Sequence, residues 1–191
     1  MISTALIFII STACGLFTVA LLLRCYLQWV RAAYRNPLSD FLAALTDFMV
    51  RPARRIIPGW WGFDFASLML AWLVQLLQLV LVVRIKGYEP ATAVGAAFAG
   101  LALLAFVMMV KLFLYIVMVA VVVQAVLTWV NPYSPIAPLL NSMTRPFLRV
   151  FQRLVPPIGN VDLSPLFVIV ICQLLLMLPV AYLEAAVARL F

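Results

Sequence analysis

Between Ala91 and Val130 the chain runs for 40 residues with one charged side chain, Lys111. A helix needs about 20 apolar residues to cross a hydrocarbon core of about 30 Å, so this tract alone exceeds what one crossing requires. Three further apolar stretches, Ile2–Val30, Ser67–Val83 and Leu166 to about Val187, approach or pass that length. Charged residues make up 10% of the chain, against roughly 25% in soluble domains. No soluble core can hide so much apolar surface, and the chain reads as an all-α, polytopic helical membrane protein.

The charge and reactive-residue content narrows the function classes. A net charge of +7 would suit nucleic acid, but the basic residues sit in segments flanking the membrane, where anionic lipid headgroups are the nearer partner. Histidine is absent, which removes the commonest metal ligand and catalytic base. Cys14, Cys25 and Cys172 lie inside apolar segments and read as small hydrophobes, not as disulfide or zinc positions. No phosphate loop, metal cluster or nucleophile–base pair is visible, and no enzyme, cofactor or metal is expected. The first segment has no basic leader and outruns the roughly 7–15 apolar residues of a signal-peptide core, so it is expected to stay as an anchor.

Internal similarity organises the rest. "LLLRCYLQWV", ending at Val30, resembles "VVVQAVLTWV", ending at Val130, and each is soon followed by Asn-Pro. "RRIIPGWWGFDFAS" matches "QRLVPPIGNVDLSP" at a constant separation of 98 positions, which relates Asp64 to Asp162 and Gln75 to Gln173. The chain is thus expected to hold two tandem parallel repeats of spanning helix, basic amphipathic connector and spanning helix. Repeat 1 covers residues 1–88 (spans 2–30 and 67–85, connector 31–66); repeat 2 covers residues 107–191 (spans 107–130 and 165–188, connector 131–164). Residues 89–106 form an extra apolar helix, expected to be tilted, re-entrant or surface-lying; a genuine fifth crossing would put the second connector on the opposite side. Eight of the thirteen basic residues fall in the two connectors, so both are expected to face the cytoplasm.

Arg145, Arg149 and Arg153 recur every four residues and so form one stripe on a helix, with Phe147, Phe151 and Leu154 on other faces. Pro146 suits the first turn of such a helix, and Pro156-Pro157 its end. In the first copy, Leu38, Leu42, Leu45 and Met49 hold helical spacing ahead of Arg51, Arg54 and Arg55. Helices of this kind lie in the headgroup plane with arginines on lipid phosphates. The six arginines are the candidate lipid- or partner-binding residues. Asp64 and Asp162 are expected to cap the following helices or to pair with Arg55 and Arg153, and Ser164-Pro165 fits a helix start.

Polar side chains within the spans are candidates for function. Arg24 is expected to snorkel to the cytoplasmic interface, while its counterpart Gln124 is neutral. Lys111 and Glu184 can reach the outer interface, as a pair if their helices meet there. Gln75 and Gln173 are mid-span in both copies, which suits interhelical hydrogen bonds about a pseudo-two-fold axis. Most of the five tryptophans flank the spans as an interfacial belt.

The paired elements, [Arg/Gln]-x3-[Gln/Thr]-Trp-Val with a following Asn-Pro, then "RPARRIIPGWWGFDFAS" and "RPFLRVFQRLVPPIGNVDLSP", resemble the YggT/YlmG family of bacterial inner-membrane proteins. The resemblance covers nearly the whole chain and implies a two-copy member. It implies roles attached to the family: cell division, cytochrome assembly and nucleoid distribution in plastids, and osmotic stress or ion uptake. The first copy departs from the pattern, with Gly59-Trp60-Trp61-Gly62 where the second has Pro157-Ile158-Gly159-Asn160. The resulting expectation is a membrane scaffold or assembly factor whose connectors hold anionic lipid and a protein partner, in a chain able to form homo-oligomers. The alternative is a small transporter or channel component with a path near Gln75 and Gln173.

Overall fold

The computed structural model describes residues 2–32, 37–57, 64–87, 94–131, 133–154 and 162–188. Among these residues every regular element is helical: α1 (Ile2–Trp29), α2 (Pro37–Ile56), α3 (Phe65–Lys86), α4 (Val94–Val130), α5 (Ala137–Leu154), α6 (Ser164–Leu175) and α7 (Ala181–Ala188), with a π-helical turn at Leu176–Val180. The all-helical fold and its two three-helix units agree with the sequence. Residues 58–63 and 155–161, with Trp60, Trp61 and Pro156-Pro157, lie outside the described residues, as does Arg189.

Four helices are long and apolar enough to cross a membrane: Ile2–Trp29, Phe65–Lys86, Phe98–Val130 and Ser164–Ala186. Within their most apolar windows only 22–39% of residues are buried inside the protein. Phe8, Leu16, Val119 and Leu174 are among the side chains left exposed. Such surface would be untenable in water but matches acyl chains without penalty. The chain is a multi-pass membrane protein.

The expected separate helix over residues 89–106 is not separate. Its described part is the beginning of α4, which runs unbroken for 37 residues and is about 55 Å long. With no proline or charge to interrupt Val94–Val110, nothing in the chain stops the helix from propagating. Its first half lies along α3, where Leu101 and Ala105 pack with Leu76 and Leu79 and the Trp72 indole donates to the Ala102 carbonyl at 3.0 Å. Its second half carries the other unit, with Val117 and Val121 against Leu148, Val168 and Cys172.

In the first unit α1 packs along α3, and α2 folds back across both. Leu42, Thr46 and Val50 of α2 face inward, while Phe41, Leu45 and Phe48 stay exposed. Helix α5 repeats this on α4 and α6, burying Leu139, Met143 and Leu148. It begins nine residues before Pro146, so that proline is interior and does not sit in the first turn. An interior proline removes one helical hydrogen bond and disturbs the turn before it. The Tyr26 hydroxyl donates to the Met143 carbonyl in that turn. Tyr26 is buried, edge-on to Phe113 at 5.3 Å between ring centres, and thereby ties α1 to α4 and α5.

The last span is also not one continuous α-helix. Pro179 falls within the π-helical turn, a wide turn that absorbs the missing N–H. Gly87 ends α3 at φ 69°, its N–H bonded to the last-turn carbonyls, the left-handed cap that glycine adopts without a Cβ penalty.

Candidate functional site at the connector helices

Equivalent positions in the two units carry different chemistry. In the first, Arg24 of α1 meets Asp47 of α2 at 2.7 Å and donates to the Thr46 hydroxyl at 2.7 Å. Asp47 also pairs with Arg51 one turn along α2, at 2.7 Å. Arg54 reaches Asp64 through Nη2 at 2.5 Å and Nε at 3.3 Å, and donates to the side-chain amide oxygen Oε1 of Gln28 at 3.0 Å. Asp64 caps α3: it accepts from Ser67 N at 3.3 Å and Ser67 Oγ at 2.6 Å.

Asp64 is only 1% exposed. Burial by itself would raise its carboxyl pKa, but the Arg54 guanidinium and the Ser67 donors outweigh that and hold it below the usual range. The same balance holds at Asp47, where Arg24 and Arg51 overcome desolvation, and Asp64 in turn raises Arg54. All are charged at neutral pH, forming a nearly neutralised network that clips the connector to both spans.

In the second unit, Gln124 stands where Arg24 does and donates to Asn141 at 3.1 Å. Gln152 replaces Arg54 and donates to Asp162 at 2.9 Å, across the same ten-residue separation as Arg54 and Asp64. Asp162 accepts from Ser164 N at 2.9 Å, but α6 is capped at Leu163, without a side-chain bond from that residue. Ser164 therefore does not cap the helix as expected; Pro165 does occupy its first turn. Despite opposing burial, the Ser164 and Gln152 donors lower the Asp162 carboxyl. No basic side chain among the described residues is within ion-pair distance of it.

The expected aspartate partners were each one residue off. Arg54 and Gln152, not Arg55 and Arg153, face the carboxylates, because the helix turns about 100° per residue. Arg55, Arg145, Arg149 and Arg153 are exposed, whereas Arg51 and Arg54 are engaged by carboxylates although they retain solvent contact. Arg24 does not snorkel free; it is held by Asp47 and Thr46. Asp47, Thr46, Gln28, Gln152 and Asn141 were missed. The one available signal was the Asp47–Arg51 spacing of four on a helix.

Within the spans, Lys111 and Glu184 pair at 2.8 and 2.9 Å. The glutamines do not share an interface. Gln75 is buried and donates to Thr18 of α1 at 3.3 Å, whereas Gln173 is exposed on α6. Helix α3 packs on α1, α2 and α4, and α6 on α4 and α5, so among the described residues the two glutamines belong to different helix contacts. Cys14, Cys25 and Cys172 are free thiols. Among the described residues no group of three or more His, Cys, Asp and Glu is placed to share a metal ion.

The CCB3/YggT family profile matches residues 3–85 and 103–183, one segment per three-helix unit. The chain belongs to the CCB3/YggT family. It is 39% identical to an uncharacterized protein of Pseudomonas aeruginosa over 96% of this chain and 92% of that one. It is 30% identical to the uncharacterized protein YggT of Escherichia coli K12 over 87% and 84%. The uncharacterized protein ycf19 of Guillardia theta is 33% identical over only 32% of this chain but 70% of its own length, a match of 64 residues that is shorter than either unit. No solved structure matches. The gap between the two matched segments, residues 86–102, includes the start of α4, the part of the chain with no counterpart in the repeat.

Proposed function

We propose that this family member is a non-enzymatic scaffold or assembly factor of the bacterial inner membrane. Its connector helices lie on the cytoplasmic face, where they hold anionic lipid headgroups and a protein partner of a membrane or cell-division complex. The supporting observation is the division of α5 into two faces. Leu139, Met143 and Leu148 are buried against the spans, and Arg145, Arg149 and Arg153 stand exposed, with no carboxylate among the described residues in ion-pair distance. Each arginine near an anionic surface is worth about 1 kcal/mol, so the stripe biases α5 toward the headgroups by about 3 kcal/mol. The connector excess of basic residues supports the cytoplasmic side.

Replacing Arg149 and Arg153 with glutamate is expected to abolish localisation and cross-linking to neighbours in cells while insertion and folding persist. Unchanged localisation and cross-links would overturn the proposal. Labelling of single cysteines introduced at residues 40 and 141 is expected to report the same side of the membrane for both.

A further inference from the structure

The two units answer one question differently: what neutralises the aspartate before the second span. In the first unit two arginines converge there, with Arg54 at 2.5 Å and Arg24 at 3.9 Å from Asp64 Oδ2. In the second both positions are glutamine, and a cavity of about 540 Å3 opens between α4, α5 and α6. Its lining combines the polar Gln124, Gln152 and Asp162 with the apolar Ile169 and Val170 of α6 and with Trp129 of α4. Gln124 Oε1 is buried and has no donor among the described residues.

We propose that this cavity is the headgroup site of one aminophospholipid, its primary ammonium on Asp162 and Gln124 and its phosphate on the arginine stripe of α5. The first unit supplies the precedent, since its own guanidinium occupies the corresponding place beside Asp64. An ammonium brings three N–H donors and no acceptor, and the site offers a carboxylate and an unused carbonyl oxygen. Leu148 and Gln152 line the cavity from α5, and Arg149 and Arg153 each follow one of them by one position, which sets the stripe on the adjoining face. The surface is thus dipolar, a negative cleft beside a positive ridge, and fits a zwitterionic headgroup better than a wholly anionic one. The apolar part of the lining selects for a lipid over a free amine, because acyl chains alone gain from contact with Ile169 and Val170. A quaternary choline headgroup has no N–H for either acceptor.

This inference does not depend on the scaffold reading. The test is native mass spectrometry of the delipidated full-length protein in detergent, with phosphatidylethanolamine, phosphatidylcholine and phosphatidylglycerol of matched chains in competition. The wild type is expected to retain phosphatidylethanolamine about tenfold better than phosphatidylcholine, the scale of one charge-assisted hydrogen bond. Asp162→Asn removes that preference. Gln152→Arg, which installs the first unit's guanidinium, removes it as well, and Asp40→Asn on α2 leaves it intact. If Gln152→Arg loses its cooperative melting transition, Asp162→Asn decides. Equal retention of the choline lipid, or equal binding of free ethanolamine, would overturn the proposal. So would equal retention of phosphatidylglycerol with Asp162→Asn silent, a result that would leave a generally anionic-lipid-binding connector standing.

Discussion

Asp64→Asn against Asp162→Asn is the sharpest comparison the duplicated architecture permits. The two aspartates are counterparts, but Asp64 accepts two bonds from a guanidinium and two from Ser67, whereas Asp162 accepts from an amide and a backbone N–H. A charge-assisted hydrogen bond contributes about 1.5–3 kcal/mol and a neutral one about 1. Breaking a fully buried pair costs about 3–5 kcal/mol. Here the Arg54 side chain is 41% exposed, so water takes up part of its lost interaction, and asparagine keeps one acceptor oxygen. The expected cost of Asp64→Asn is therefore about 2–4 kcal/mol, which lowers the melting midpoint by on the order of 5–10 °C. Asp162→Asn is expected to cost less than about 1 kcal/mol, because its partners are neutral and it is exposed. Thermal unfolding of both variants in one detergent measures the difference. Equal shifts would refute the claim that charge clamps the connector aspartate in the first unit but not in the second.

The acid limb of stability tests the same network. The folded state holds Asp47, Asp64 and Asp162 below their ordinary pKa, so the unfolded chain binds protons first. Their stabilisation is present above about pH 4 and is lost as pH falls through the folded-state values; Asp64→Asn should flatten that decline in a melting series from pH 7 to 3. Lys111→Met alone is expected to cost about 2–3 kcal/mol by stranding Glu184, and pairing it with Glu184→Met should recover most of the loss; additive costs in a double-mutant cycle would mean the pair is uncoupled. Gly87→Ala should cost about 1 kcal/mol, because φ 69° suits glycine and the surrounding space does not compensate. Gln173→Leu should leave melting and lipid retention unchanged, since that side chain faces outward.

How far the architecture could be read without coordinates differs from element to element. The spans were legible because an apolar run of membrane length has only one low-energy solution in lipid. Connector helix α5 was legible in its amphipathic stripe but not in its start. Pro146 looked like a beginning, and packing of Leu139 and Met143 on α1 and α4 supplies enough burial to extend the helix upstream through it. The identity of the aspartate partners was not legible, because Arg54 and Arg55 are neighbours in the chain and only the rotation of α2 against α3 decides which of them points inward.

What the chain alone determined about this protein is its solvent, its duplicated units and the excess of arginine in the connectors, since composition and periodicity are local properties that survive any packing. Tertiary structure decided how those arginines are used. Position 24 or 54 becomes an internal strut only when a carboxylate from another helix arrives within hydrogen-bond reach. The glutamines at 124 and 152 become the lining of a cleft only when α4, α5 and α6 leave space between them. Charge interactions over a few ångströms depend on contacts between residues distant in the chain, and those contacts are made only when the helices pack.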